Sequence, residues 1–130
     1  MTTAQAVDAT ATVDRYLAAL NEPDPAERAR RIAEAWAPGG SMTDPPLAGQ
    51  GHDGIAGVGE ALHQHYAGHA FRRTSVVDCH HDRLRFAWEL VDGSGTVAMT
   101  GMDVALLEAD GRVGQVTGFF GDLAPRSETD

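Results

Sequence analysis

The hydrophobic period of this 130-residue chain changes near residue 70, and that change constrains its fold more than any other feature. Before it, apolar residues recur at helical spacing: Val13, Tyr16, Leu17 and Leu20 fall at i, i+3, i+4 and i+7 and share one helix face. After it they alternate, with Leu84, Phe86, Trp88 and Leu90 set between Arg83, Arg85, Ala87 and Glu89, as in a strand buried on one side. Helices first and strands afterwards make an α+β domain. The expectation is a cone-shaped single domain, with three N-terminal helices packed on a curved, mainly antiparallel sheet.

The punctuation between these runs sets the element boundaries. The first helix is expected from near Thr12 to the stop at Asn21-Glu22-Pro23; residues 1–11, polar and alanine-rich without a stripe, read as a flexible tail. Asp24 caps a second helix with Pro25 in its first turn, Glu27 placed for a capping box, and Ala29, Ile32, Ala33 and Trp36 as its apolar stripe. Pro38-Gly39-Gly40 ends that helix. A short strand over residues 41–44 and a loop over 45–52 follow, and Asp53 caps a third helix carrying Ile55, Val58, Leu62 and Tyr66. Gly54, Gly57 and Gly59 each cost that helix about 1 kcal/mol relative to alanine, which points to close packing or a widened pocket. Beyond residue 70 the reading is a four-stranded meander: a poorly alternating run over 71–79, the clean strand over 84–90, a long strand over 96–108 that is apolar on both faces, and a last strand over 112–120. One domain therefore spans residues 12–123, and residues 124–130 form a second flexible tail. A sheet curved around helices leaves a concave cavity where a small apolar ligand would bind.

Charge narrows the partners. The net charge is −9 and the chain has no lysine; its arginine clusters, Arg28-Ala29-Arg30-Arg31 and Arg72-Arg73, are short and lie among acids. Phosphate backbones need a basic stripe, so nucleic acid is not an expected partner, and the first cluster reads as a solvated helix face. Cys79 is the single cysteine, which excludes an intramolecular disulfide. No apolar run approaches the roughly 18 residues of a membrane helix, and no export pattern opens the chain, so a cytoplasmic protein with no membrane partner is expected.

Three residues carry possible chemistry. In Ser41-Met42-Thr43-Asp44-Pro45-Pro46 the prolines restrict the backbone around Asp44, so a carboxylate leaves the chain in a defined direction as a candidate general base. Asp-Pro is equally an ordinary turn starter. Asp103 interrupts the apolar run Met102-Asp103-Val104-Ala105; facing a cavity it would be pushed toward the neutral acid, while at an edge it would meet water or an arginine such as Arg85 or Arg112. Tyr16 sits on the buried helix face, where a hydroxyl needs a partner. Together they offer one base and two donors, the equipment for moving a proton next to a carbonyl.

The segments Val13-Asp14-Arg15-Tyr16-Leu17-Ala18-Ala19-Leu20-Asn21, Thr43-Asp44-Pro45, Met102-Asp103-Val104 and Phe120-Gly121 resemble, in the same order, those of the ketosteroid isomerases. These enzymes belong to the nuclear-transport-factor-2-like superfamily, which also holds the SnoaL-like polyketide cyclases. The resemblance implies Tyr16 and Asp103 as the oxyanion hole and Asp44 as the base, with Trp36, Phe86, Trp88, Met99 and Phe120 walling an apolar cone. It implies a reaction without cofactor and pairing of two copies through the open sheet face. A tyrosine that supports the oxyanion-hole tyrosine in the isomerases falls at Gly59 here, so that hydrogen bond is absent. Polyketide cyclisation or epoxide opening, and non-catalytic binding of an apolar small molecule, are the alternatives within the same fold. No histidine pair has metal-ligand spacing, so no metal is expected; His52, near the Asp44 loop, is the one histidine placed as an auxiliary acid or base.

Overall fold

The structure, a computed structural model, describes residues 3–130. Its elements run α1 (Thr3–Asn21), α2 (Pro25–Ala35), β1 (Trp36–Thr43), β2 (Ala48–Gln50), α3 (Gly51–His65), β3 (Ala70–Arg73), β4 (Asp78–His80), β5 (Arg83–Val91), β6 (Val97–Leu107) and β7 (Val113–Phe120). Six strands form one curved, open sheet in the order β2-β1-β7-β6-β5-β3, and β4 pairs with β5 off that path. All pairings are antiparallel except β1 with β7, so the sheet is mixed. Register shifts in the β1–β7, β5–β6 and β6–β7 ladders supply local bends of the kind that curve a sheet.

The α+β architecture with three helices on one sheet is as expected, and several boundaries are not. Helix α1 begins at Thr3 rather than near Thr12, so residues 3–11 of the expected tail are helical, while residues 1–2 lie outside the described residues. Alanine is the best helix former yet shows little on a hydrophobic stripe, and buried Ala9 extends the face of Val13, Tyr16, Leu17 and Leu20 by one turn. Helix α2 has its expected cap, Asp24 accepting from the Glu27 N–H at 2.9 Å, but stops at Ala35. Trp36 is already extended at φ −113° and ψ 142°, and Pro38-Gly39-Gly40 runs inside β1 instead of ending the helix. Proline is tolerated there because the β1–β7 pairing is broken between Trp36 and Ser41, so no ladder bond is lost. The expected loop over 45–52 contains β2, and α3 starts at Gly51 after Gln50, leaving Asp53 in the first turn rather than at the cap. The run over 71–79 is two strands, β3 and β4, both paired to β5.

Arg28 is the largest departure in burial. It was expected on a solvated face; it is 2% exposed, donating to the carbonyls of Glu22 (2.8 Å) and Pro23 (3.0 Å) and to Glu60 on α3 (3.1 Å). Its aliphatic stem lies against Gly59, where a methyl group would come within 2.8 Å of Cδ. Gly49 and Gly54 let β2 and α3 touch backbone to backbone, and Gly57 meets nothing. Gly54 and Gly59 therefore serve close packing, and none of the three α3 glycines lines the cavity.

Inside the curve, the alternation of β5 buries Leu84, Phe86, Trp88 and Leu90, and β6 turns Gly101, Asp103 and Ala105 the same way. Against them packs the α1 face carrying Tyr16.

Candidate active site

Tyr16 sits mid-stripe on α1, 2% exposed, and its hydroxyl donates to Asp103 Oδ2 on β6 at 2.8 Å. The other carboxyl oxygen is also taken: Trp88 Nε1 donates to Oδ1 at 3.0 Å. The indole reaches it because Gly101, directly opposite Trp88 in the β5–β6 register, has no side chain; a methyl there would overlap both the indole and the Phe119 carbonyl. Asp103 is 5% exposed. Burial pushes its carboxyl up to about 6, against the pull of the two donors, and the Asp44 charge adds to the rise. Burial first, then the Asp103 charge beside it, holds the Tyr16 hydroxyl well above the usual tyrosine range.

Asp44 is the first residue after β1, and the Thr43–Thr117 pairing sets it beside Gly118 on β7. Its N–H donates to the Leu47 carbonyl at 2.9 Å and the Leu47 N–H donates back to Asp44 Oδ1 at 2.8 Å, a reciprocal clasp around Pro45-Pro46 that fixes the carboxylate's direction. Oδ2 has no hydrogen-bond partner among the described residues. Half-burial raises the Asp44 pKa above its ordinary value, and the Leu47 N–H opposes the rise. Gly118 separates the two acids: a methyl there would lie 2.9 Å from Asp103 Oδ1 and 3.3 Å from Asp44 Cβ. The two carboxyl groups thus flank one gap that only glycine leaves open.

Both carboxyl groups face a cavity of about 520 Å³. Tyr16, Asp44 and Asp103 line it together with Trp88, Met99 and Phe120. Trp36 and Phe86, expected in the wall, are not in it; they are buried behind Tyr16, their ring centroids 5.8 and 6.1 Å from its own in edge-on contact, and they hold the phenol in place. His52 does not reach the cavity either, because its Nε2 donates to the Trp36 carbonyl at 2.9 Å. The expected set omitted Leu17, Leu20 and Met42 on the inner faces of α1 and β1, and Leu62, His65 and Tyr66 at the end of α3. Helical spacing already grouped Leu17, Leu20, Leu62 and Tyr66 on core-facing stripes; nothing local said which stretch of each stripe would face empty space. His65, expected at the surface, is exposed and stands at the cavity rim. Among the described residues no cluster of three or more His, Cys, Asp or Glu could hold a metal ion, and no helix is long and apolar enough to cross a membrane.

Among solved structures, the chain is similar to a candidate isomerase of the SnoaL-like family from Agrobacterium tumefaciens, with 34% identity over 89% of this chain and 99% of that one and a TM-score of 0.85. The chain belongs to the SnoaL-like family. More distant likenesses carry the fold alone: a candidate polyketide cyclase from Sinorhizobium meliloti (17% identity, 82% of this chain and 92% of that one, TM-score 0.65) and a candidate SnoaL-like polyketide cyclase from Jannaschia (16%, 88% and 85%, TM-score 0.68). No protein-family model matches the chain, and no curated protein matches it in sequence. For a SnoaL-like protein the fold explains where a cavity forms, and the chemistry has to be argued from the side chains that line it.

Proposed function

We propose that this SnoaL-like protein is a cofactor-free, ketosteroid-isomerase-like enzyme that moves a proton next to a ketone of an apolar, steroid-like or polyketide substrate. The observation that carries the reading is the free oxygen of Asp44, which shares an apolar cavity with the buried Tyr16–Asp103 pair. With the ketone oxygen at Tyr16, Asp44 takes a proton from the adjacent carbon and the C–H electrons pass into the carbonyl, giving an enolate. Once Asp103 is neutral it no longer holds the Tyr16 proton as a carboxylate does: the Tyr16–Asp103 hydrogen bond is released, the two hydroxyls turn to the substrate, and the oxyanion is met by two donors in an apolar cavity. Asp44 then returns the proton to the γ-carbon of the shifted double bond, and nothing is consumed. The test is a β,γ-unsaturated ketosteroid, followed by the absorbance of the conjugated enone. Asp44→Asn should abolish turnover while ligand affinity stays within a few-fold; full activity in that variant would sink the assignment of the base.

A second reading is favoured by the two hydrogen bonds that Asp103 accepts. Well above pH 6 the carboxylate form predominates, the Tyr16 proton is committed to it, and the cavity presents Asp44 as a lone base for a carbon acid, hydroxyl or water. That is the equipment of polyketide cyclisation or epoxide opening. Silence in the enone assay at both pH 5.5 and pH 8 would move the assignment to this chemistry. A binding-only protein called for Asp44 outside any cavity, and its place in the wall speaks for a reaction. We place the protein in the cytoplasm, paired with a second copy through the outer sheet face, where Met102, Val104 and Phe119 are exposed.

A further inference from the structure

The polar groups of the cavity fall into two sets. Tyr16, Trp88 and Asp103 satisfy one another, and Asp44 spends one oxygen on Leu47. His65 and Tyr66 also line the cavity, yet neither the imidazole nor the phenol hydroxyl has a hydrogen bond within the described residues; the Tyr66 ring has only an edge contact with His69, centroids 5.5 Å apart. Tyr66 is half-buried and His65 is exposed, so both polar groups meet water at the rim of the cavity and are free to bond an oxygen of a bound ligand.

Their position is set by the fold. The neighbouring His63 donates from Nε2 to the Leu20 carbonyl at 2.8 Å, which pins the last turn of α3 over the C-terminal end of the α1 stripe, one turn beyond Tyr16. On the opposite wall, Met99 precedes Asp103 by four residues, about 13 Å along β6. The cavity therefore has a polar pole at Tyr16, Asp103 and Asp44 and a second one at the exposed rim beside His65, with Leu20, Leu62, Phe71, Leu90 and Met99 forming apolar wall between them.

We propose that His65 and Tyr66 form a second recognition point, and that the substrate is an elongated apolar body with its reacting carbonyl at one end and a hydrogen-bonding oxygen at the other. This rests on the reading of the cavity as the substrate site, and it adds what selects among apolar ketones: the walls bind any apolar body of suitable shape, whereas an oxygen at the rim is met by two side chains otherwise left to water.

The experiment compares oestradiol with its 17-deoxy analogue, phenolic steroids that differ by one hydroxyl at the far end, by equilibrium dialysis. The protein should bind oestradiol about fivefold to tenfold tighter, the worth of one net hydrogen bond. In the His65→Ala/Tyr66→Phe double variant the ratio of the two affinities should fall to within about twofold, and the ratio cancels any general loosening of the cavity. Tyr16→Phe should weaken both ligands alike, which fixes their orientation. A ratio near one in the unaltered protein, or a preference that survives the double variant, overturns the proposal and leaves the proton-transfer reading standing. Loss of turnover with the binding preference intact would do the reverse. Failure of both steroids to bind would count against both.

Discussion

Trp88 holds Asp103 from the side opposite Tyr16: its indole Nε1 donates to Oδ1 at 3.0 Å while the phenol takes Oδ2. A donor favours the charged form of a carboxyl, so removing this one raises the Asp103 pKa further above about 6. In Trp88→Phe the alkaline limb of the pH dependence of kcat/KM should therefore move to higher pH, because the neutral acid persists longer. Direct titration of the Asp103 carboxyl by carbon NMR checks the same shift without turnover. A limb that stays in place would mean this hydrogen bond does not set the titration.

Asp103 also ties stability to pH. Its folded pKa of about 6 lies above the ordinary carboxyl value of 3.8, so between these values the folded state holds more proton than the unfolded one and stability falls as pH rises. The loss is complete above the folded pKa and amounts to about 3 kcal/mol for a shift of this size. Urea denaturation at pH 4.5, 6 and 7.5 should show this slope in the native protein. Asp103→Asn, which keeps the shape and removes the titration, should lessen it and leave the contribution of Asp44, whose pKa is raised as well.

Gly118 is the spacer between the two acids. In Gly118→Ala the new methyl, 2.9 Å from Asp103 Oδ1 and 3.3 Å from Asp44 Cβ, forces at least one carboxyl to move. Overpacking of this kind costs about 1–3 kcal/mol. Turnover should fall at least tenfold, since the base and the donors no longer face one substrate position. A variant with full activity and unchanged stability would show that the gap tolerates a side chain.

Phe119 is 59% exposed on the outer sheet face and pairs across the ladder with Met102, itself exposed. If two copies meet there, light scattering at micromolar concentration should give twice the 13.8 kDa chain mass. Phe119→Asp should return the single-chain mass, because a carboxylate at the centre of an apolar contact is desolvated without a partner. A native protein that is already monomeric would remove the proposal.

Much of the architecture was legible in the sequence for a physical reason. Periodicity records which face of an element is buried, and it placed Tyr16, Leu84, Phe86, Trp88 and Leu90 inward without reference to anything distant. It could not report what an inward residue meets there. The family resemblance places Trp36 and Phe86 in the cavity wall, but they pack behind Tyr16, while Leu62, His65 and Tyr66 take wall positions instead. The sequence implies a solvated Arg28 because a charge usually is; three carbonyl and carboxylate acceptors from a loop and another helix make its burial possible.

For Asp44, Tyr16 and Asp103 the same division holds. The chain itself specified a carboxylate held by prolines, a tyrosine on a buried stripe and an acid in an apolar strand, because backbone restriction and side-chain alternation are local properties. Only the tertiary structure brought Tyr16 within 2.8 Å of Asp103 across 87 residues, turned Trp88 onto the other oxygen, and kept Gly118 as the gap toward Asp44. Burial raises the Asp103 pKa, and burial is a property of the packed whole rather than of any segment.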